Sequence, residues 1–217
     1  MRQHGLLHAA LAGLMILAAT LAGPAMAQGK RPLKLVALGD SLTAGYGLPA
    51  AAAFPTQLQQ ALKARGHDVE IVNAGVSGDT AAGGLERLDW SVGEGVDGVI
   101  LELGANDMLR GLDPAATKAT LDTIVRRLKA RNIPVLLTGM LASRNLGPDY
   151  AARFDAIYPD IARAHGVMLY PFFLDGVAGQ RNLNIADGIH PNPEGVRIIV
   201  ERMLPTVETF IARLRPA

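Results

Sequence analysis

Five apolar runs of strand length recur along the chain: Leu33–Leu38, Val69–Val72, Val99–Leu103, Val135–Thr138 and Val167–Tyr170. Each is nearly continuous rather than alternating, which is how strands buried on both faces of a parallel sheet read. Helical patterns lie between them. Phe54, Leu58, Ala61, Leu62 and Arg65 follow helical spacing, with Gly66 at the stop position. Leu121, Ile124, Val125 and Leu128 form a second stripe, opened by Asp113-Pro114 as cap and first residue. Tyr150, Phe154, Ile157, Ile161 and Ala164 form a third, with a kink or break expected at Pro159. A fourth runs from Pro193 to Arg215, and Pro205 is expected to divide it. Strand–helix alternation with short connections predicts a doubly wound α/β fold of three layers around one parallel sheet. Ligand sites in such sheets form at the carboxyl ends of the strands.

The ends of the chain carry a different message. Met1 to Ala27 begins with Arg2, continues through the apolar run Leu6 to Ala22 and ends Ala25-Met26-Ala27. That is the layout of a secretory signal peptide, with cleavage expected after Ala27. The run is diluted with Ala and Gly and is short for a membrane span, so no stable membrane anchor is expected. Residues 28–217 then form one domain, periplasmic or secreted, read here as a monomer. The 217 residues contain no cysteine, so no disulfide, lipid-modified cysteine or thiolate chemistry is available. The formal net charge is +1, and no basic stripe with interleaved aromatics is present. Arg126, Arg127, Lys129 and Arg131 close a helix, where cations complement the dipole, so no nucleic-acid partner is expected.

Three loops after strands have unusual polar content: Gly39-Asp40-Ser41-Leu42, the stretch Asn73 to Asp79, and Gly104-Ala105-Asn106-Asp107. A fourth segment, Asp187 to Asn192, precedes the last helix. GDSLTAGYG, Gly39 to Gly47, raises two readings. A phosphate-cradling loop needs a lysine and a hydroxyl after its glycines, or G-x-G-x-x-G opening a helix, and neither occurs. A nucleophilic Ser41 needs a base and a group that orients the base. Of five histidines, His4 and His8 fall in the leader, His67 at a helix-to-strand turn and His165 in a last helical turn. His190 is left, with Asp187 three residues before it to fix its tautomer. Candidate donors for a tetrahedral oxyanion are the Ser41 N–H, the Gly75 N–H and the Asn106 amide. No metal-ligand cluster is visible, and no metal or organic cofactor is required.

Gly39-Asp40-Ser41-Leu42, Gly75, Gly104-x-Asn106-Asp107 and Asp187-x-x-His190 together resemble the four sequence blocks of the SGNH hydrolases, also called GDSL esterases, in the right order. VNAGVSGDTAAGGLERL, LELGANDMLRG and DGIHPN look closest to the bacterial periplasmic thioesterase I/lysophospholipase L1 and arylesterase branch. The resemblance implies a flavodoxin-like sandwich with a central five-stranded parallel sheet. It implies Ser41 as nucleophile, His190 as base, Asp187 as its orienter, and Ser41, Gly75 and Asn106 as the oxyanion hole. The implied substrates are acyl or aryl esters, thioesters or lysophospholipids.

Met108, Leu109 and Leu112 follow Asn106, and Phe172-Phe173 follow the last strand; these are the candidate walls of an acyl-binding groove. The loop Val76–Thr80 is a candidate to shift on binding. Two rival readings accompany the esterase. A carbohydrate O-acetylesterase is disfavoured by an aromatic content of 5%. A non-catalytic periplasmic binding module predicts a missing member of the Ser-His-Asp set, and none is missing.

Overall fold

The computed structural model describes residues 31–214; the expected signal peptide and its cleavage site lie outside the described residues. Five strands, β1 (Leu33–Gly39), β2 (Val69–Gly75), β3 (Gly98–Glu102), β4 (Val135–Thr138) and β5 (Met168–Tyr170), form one sheet. Their spatial order is β2-β1-β3-β4-β5, and every pairing is parallel. β3 and β4 are buried along their whole length, as continuous apolar runs predict. β2 is an edge strand and alternates instead, with Glu70 and Asn73 exposed.

Nine α-helices accompany the sheet among the described residues. They are α1 (Ser41–Ala44), α2 (Phe54–Ala64), α3 (Ala81–Glu86), α4 (Leu88–Ser91), α5 (Ala105–Leu109), α6 (Pro114–Ala130), α7 (Pro148–Asp155), α8 (Ile157–His165) and α9 (Pro193–Leu214). α2 packs with α9 and β2, whereas α6 packs with α3 and α8. Asp113 caps α6, its carboxylate accepting the Ala115 N–H at 3.1 Å, with Pro114 in the first turn. Gly66 follows α2 at φ +85°, the left-handed conformation expected of a stop residue.

The two prolines behave differently from expectation. The third helical stripe does break, but at Ala156, between α7 and α8, three residues before Pro159. The ring of Pro159 opposes helical continuation four residues back, at Asp155, so the break falls ahead of the proline. Pro205 does not divide the last helix, which is continuous over 22 residues. Pro205 is exposed, while Met203, Leu204, Val207, Phe210 and Ile211 around it are buried against the core. That packing outweighs the loss of one hydrogen bond.

The chain leaves β1, adds β2 on one side and crosses back to place β3 on the other. The carboxyl ends of β1 and β3 therefore flank a topological switch point, where doubly wound sheets open a crevice. Gly75, at the end of β2, has no room for a side chain: a Cβ would stand 2.2 Å from the Ala44 backbone nitrogen. Gly75→Ala is expected to destabilise the fold by about 1–3 kcal/mol through overpacking, read as a lower midpoint in urea unfolding.

Candidate active site

The site begins where β1 stops. Asp40 caps α1, its Oδ1 accepting the Leu42 N–H at 2.9 Å, and this turn places Ser41 at the first helical position. Gly39 permits the turn by close approach, since a Cβ there would sit 2.1 Å from Thr43 Oγ1 and 2.7 Å from the Glu102 carbonyl oxygen. The Ser41 side chain is largely buried and lines a cavity.

Opposite it, the segment before α9 is folded into a small closed loop. Ile185 N–H donates to the His190 carbonyl at 2.8 Å, and Asn184 bridges Pro191 in antiparallel fashion. Asp187 Oδ1 accepts the Ile189 and His190 N–H groups, both at 3.0 Å, and Gly188 takes φ +76° between them. Asn192 Oδ1 then accepts the Glu194 and Gly195 N–H groups, starting α9. The result is a line of three side chains: Asp187 Oδ2 to His190 Nδ1, 2.6 Å, and His190 Nε2 to Ser41 Oγ, 2.8 Å. The Tyr46 ring lies against the imidazole, with centroids 4.7 Å apart and planes tilted by 40°. Partial desolvation works to raise the Asp187 pKa, but the Ile189 N–H, the His190 ring and the His190 N–H together hold it below the usual carboxylate value. The other two described histidines pair elsewhere. His67 meets Glu208 at 3.1 Å and His165 meets Asp122 at 2.6 Å.

The expected oxyanion donors are not all brought together. Gly75 is not at the site. Its N–H donates to its own strand neighbour, Asn73 Oδ1, at 3.0 Å, and it does not line the cavity. Gly78, three residues on in the same loop, does line the cavity, at φ +88°, and its N–H has no acceptor among the described residues. The Ser41 N–H is likewise without an acceptor there. The Asn106 amide lines the cavity, and Nδ2 donates to Asp40 Oδ2 at 3.1 Å and to the Asp79 carbonyl at 2.9 Å. Asp40 is thus a site residue whose contribution the sequence did not reveal. Its carboxylate is fully buried, and that burial pushes its pKa up to about 6 against the hydrogen bonds that favour its charge. Arg87 braces the same floor, donating to the Gly39 and Ala74 carbonyls, both at 2.8 Å, and to Asp79 at 2.6 Å.

The cavity measures about 520 Å³ and is walled mostly by apolar side chains, a size suited to a small ligand. Met108 and Leu109 form part of the wall, as expected, but Leu112 does not. α5 ends at Leu109 and the chain turns back at Gly111 (φ +64°), so the Leu112 N–H donates to the Asp107 carbonyl and its own carbonyl accepts from Tyr150. Phe172 lines the cavity, whereas Phe173 is buried in the core against Phe54, 4.9 Å between centroids. The segment Met140–Arg144, which no motif marks, also lines the cavity.

The chain matches the model of the "GDSL-like Lipase/Acylhydrolase family" over residues 37–198. It is 36% identical over 198 residues to "Esterase TesA" of Pseudomonas aeruginosa, covering 91% of this chain and 98% of the relative. It is 38% identical over 178 residues to "Thioesterase 1/protease 1/lysophospholipase L1" of Escherichia coli K12, covering 82% and 84%. The solved structure of AlinE4, described as an SGNH-hydrolase family esterase, superimposes with a TM-score of 0.70 at 42% identity, covering 86% of this chain and 98% of that one. The chain belongs to the GDSL-like lipase/acylhydrolase family and is an enzyme of its esterase class.

Proposed function

We propose that this esterase cleaves carboxylic ester and thioester bonds by acyl transfer to Ser41, with His190 as general base and acid and Asp187 as its orienter. The observation that carries the reading is the unbroken hydrogen-bonded line from Asp187 through His190 to Ser41, of which His190 and Ser41 line an apolar cavity. With Nδ1–H donated to Asp187, the neutral imidazole presents Nε2 as acceptor to the Ser41 hydroxyl. Ser41 attacks the acyl carbon while its proton passes to His190. The imidazolium then protonates the departing alcohol or thiol, and water reverses the sequence on the acyl-enzyme.

The oxyanion is received by the Ser41 and Gly78 N–H groups and by the Asn106 amide. Gly78 takes the place in this set that Gly75 was expected to fill. One Asn106 hydrogen now rests on the Asp79 carbonyl, within the loop Val76–Thr80, and a shift of that loop releases it toward the substrate. Loss of one such donor typically costs about 10²–10³ in rate. Asn106→Ala is therefore expected to lower kcat about 10²- to 10³-fold with an unchanged circular dichroism spectrum, checked by steady-state kinetics on one activated ester.

The substrates in this reading are acyl or aryl esters, thioesters or lysophospholipids, taken up by the walls around Met108, Leu109, Met140 and Phe172. Hydrolysis of p-nitrophenyl esters of graded acyl length tests it. Rates that rise with chain length and then fall are expected from a cavity of this size. A preference for acetylated sugars over every acyl-aryl ester would favour the carbohydrate O-acetylesterase instead. The leader-like residues 1–27 point to a protein exported to the periplasm or beyond and cleaved after Ala27, leaving one hydrolase domain; N-terminal sequencing of the exported form tests this.

A further inference from the structure

Behind Ser41 lies a second carboxyl group that acyl transfer as described leaves unused. Glu102, the last residue of β3, is buried. Both of its donors converge on one oxygen: the Thr43 hydroxyl reaches Oε2 at 2.9 Å and the Asp40 N–H at 3.3 Å. The other oxygen, Oε1, is buried with no donor to it among the described residues. Among the described residues no cation pairs with Glu102. Arg87, the guanidinium on the same floor, is committed to the Gly39 and Ala74 carbonyls, Ser91 and Asp79. The titratable groups about it are Asp40, whose N–H it accepts and whose charge acts on it, and Tyr158, whose hydroxyl donates to the Leu103 carbonyl; Asp107, which like Glu102 acts on Tyr158, is held by Thr117 and the Ala81 N–H. His190 acts on the pair through Asp40.

An ionised carboxylate in such a place lacks both a counter-ion and donors for one of its oxygens, and burial of this kind costs several kcal/mol. A neutral acid has the opposite need: Oε2 stays the acceptor and the other oxygen carries a proton to give. The one nearby acceptor with a charge to stabilise is Asp40, which already holds the Leu42 N–H and the Asn106 amide.

We propose that Glu102 stands in the working enzyme as a neutral carboxylic acid that donates its proton to the Asp40 carboxylate, and so acts through Asp40 as a positioning residue for the Asn106 amide. Two adjacent buried carboxyl groups cannot both ionise cheaply and share one proton. In line with this, desolvation first and the Asp40 charge second push the Glu102 pKa well above the usual carboxylate range. The shared proton leaves Asp40 as the charged member near neutral pH, and its charge fixes which way the Asn106 amide faces. The consequence for catalysis rests on the proposed role of Asn106; the protonation state does not.

Three measurements test this on the full-length enzyme. Infrared spectroscopy at pH 7 is expected to show a protonated carboxyl C=O stretch that Glu102→Gln removes. The folded protein keeps a proton that the unfolded chain loses above about pH 4.5, so the wild-type stability contribution of Glu102 is present at low pH and fades as pH rises toward the raised pKa. The advantage in melting temperature of E102Q over wild type is therefore expected to grow with pH above about 4.5. In kinetics, Glu102→Ala is expected to lower kcat about 10- to 100-fold with KM little changed, less than outright loss of an oxyanion donor. E102Q, which still donates and accepts, is expected to rescue most of that loss. Absence of the infrared band, or a melting-temperature difference that stays flat with pH, would overturn the proposal even if E102A fails to fold. An E102Q variant as slow as E102A would overturn the positioning role. Full activity in N106A would instead remove the oxyanion reading of Asn106 and leave the protonation result standing, so the two failures are distinguishable.

Discussion

Ser41→Ala is expected to lower kcat/KM for any ester substrate by about 10⁴- to 10⁶-fold, the range seen when a triad nucleophile is removed. The fold is expected to persist. Ser41 Oγ makes one side-chain contact of note, to His190, and the α1 start is held by the Asp40 cap, which alanine leaves intact. Residual hydrolysis above the uncatalysed rate is expected from the oxyanion donors and the cavity alone. A variant that binds ester with unchanged affinity but fails to turn it over separates a lost nucleophile from a collapsed pocket.

The second large effect belongs to Asp187→Asn. The loop geometry should survive, because an amide oxygen can still accept the Ile189 and His190 N–H groups that Oδ1 now holds. What changes is the face toward the imidazole. An amide nitrogen in place of Oδ2 donates to Nδ1, which forces the proton onto Nε2, the atom now facing Ser41 Oγ. His190 then cannot take the serine proton, and the imidazolium loses its counter-charge. A loss on the order of 10³–10⁴ in kcat is expected, checked by kinetics beside a spectrum showing an unchanged fold. A loss under tenfold would mean that Asp187 serves the turn alone.

How much of this was legible in the sequence depends on the range of the interactions involved. The sheet was legible because β1, β3 and β4 are interior strands whose burial on both faces writes itself as continuous apolar runs. The edge strand β2 was visible only in its first half, since Asn73 and Gly75 look like loop residues until they pair with Ala37 and Gly39 of β1. That pairing is also why Gly75 was misplaced: a strand-end glycine and a loop glycine are indistinguishable in composition, and only the Asn73 side chain on its N–H tells them apart. That Ser41, His190 and Asp187 meet in one hydrogen-bonded line was legible because the chain leaves few alternatives among its histidines. Leu112 looked like Met108 and Leu109, but a turn at Gly111 takes it out of the wall. The pairing of Glu102 with Asp40 joins residues 62 positions apart, and no local pattern encodes it. Pro205 shows the limit of propensity: a helix-breaking residue yields to the burial of its neighbours.

The most direct measurement is intact-mass and peptide analysis after treatment with a p-nitrophenyl alkylphosphonate, which mimics the tetrahedral intermediate and stays on the nucleophile. Acyl transfer through Ser41 predicts one adduct per chain, located on Ser41, formed in step with the loss of esterase activity and absent from Ser41→Ala. Full inactivation with the adduct on another residue, or an active enzyme that forms no adduct, would contradict it.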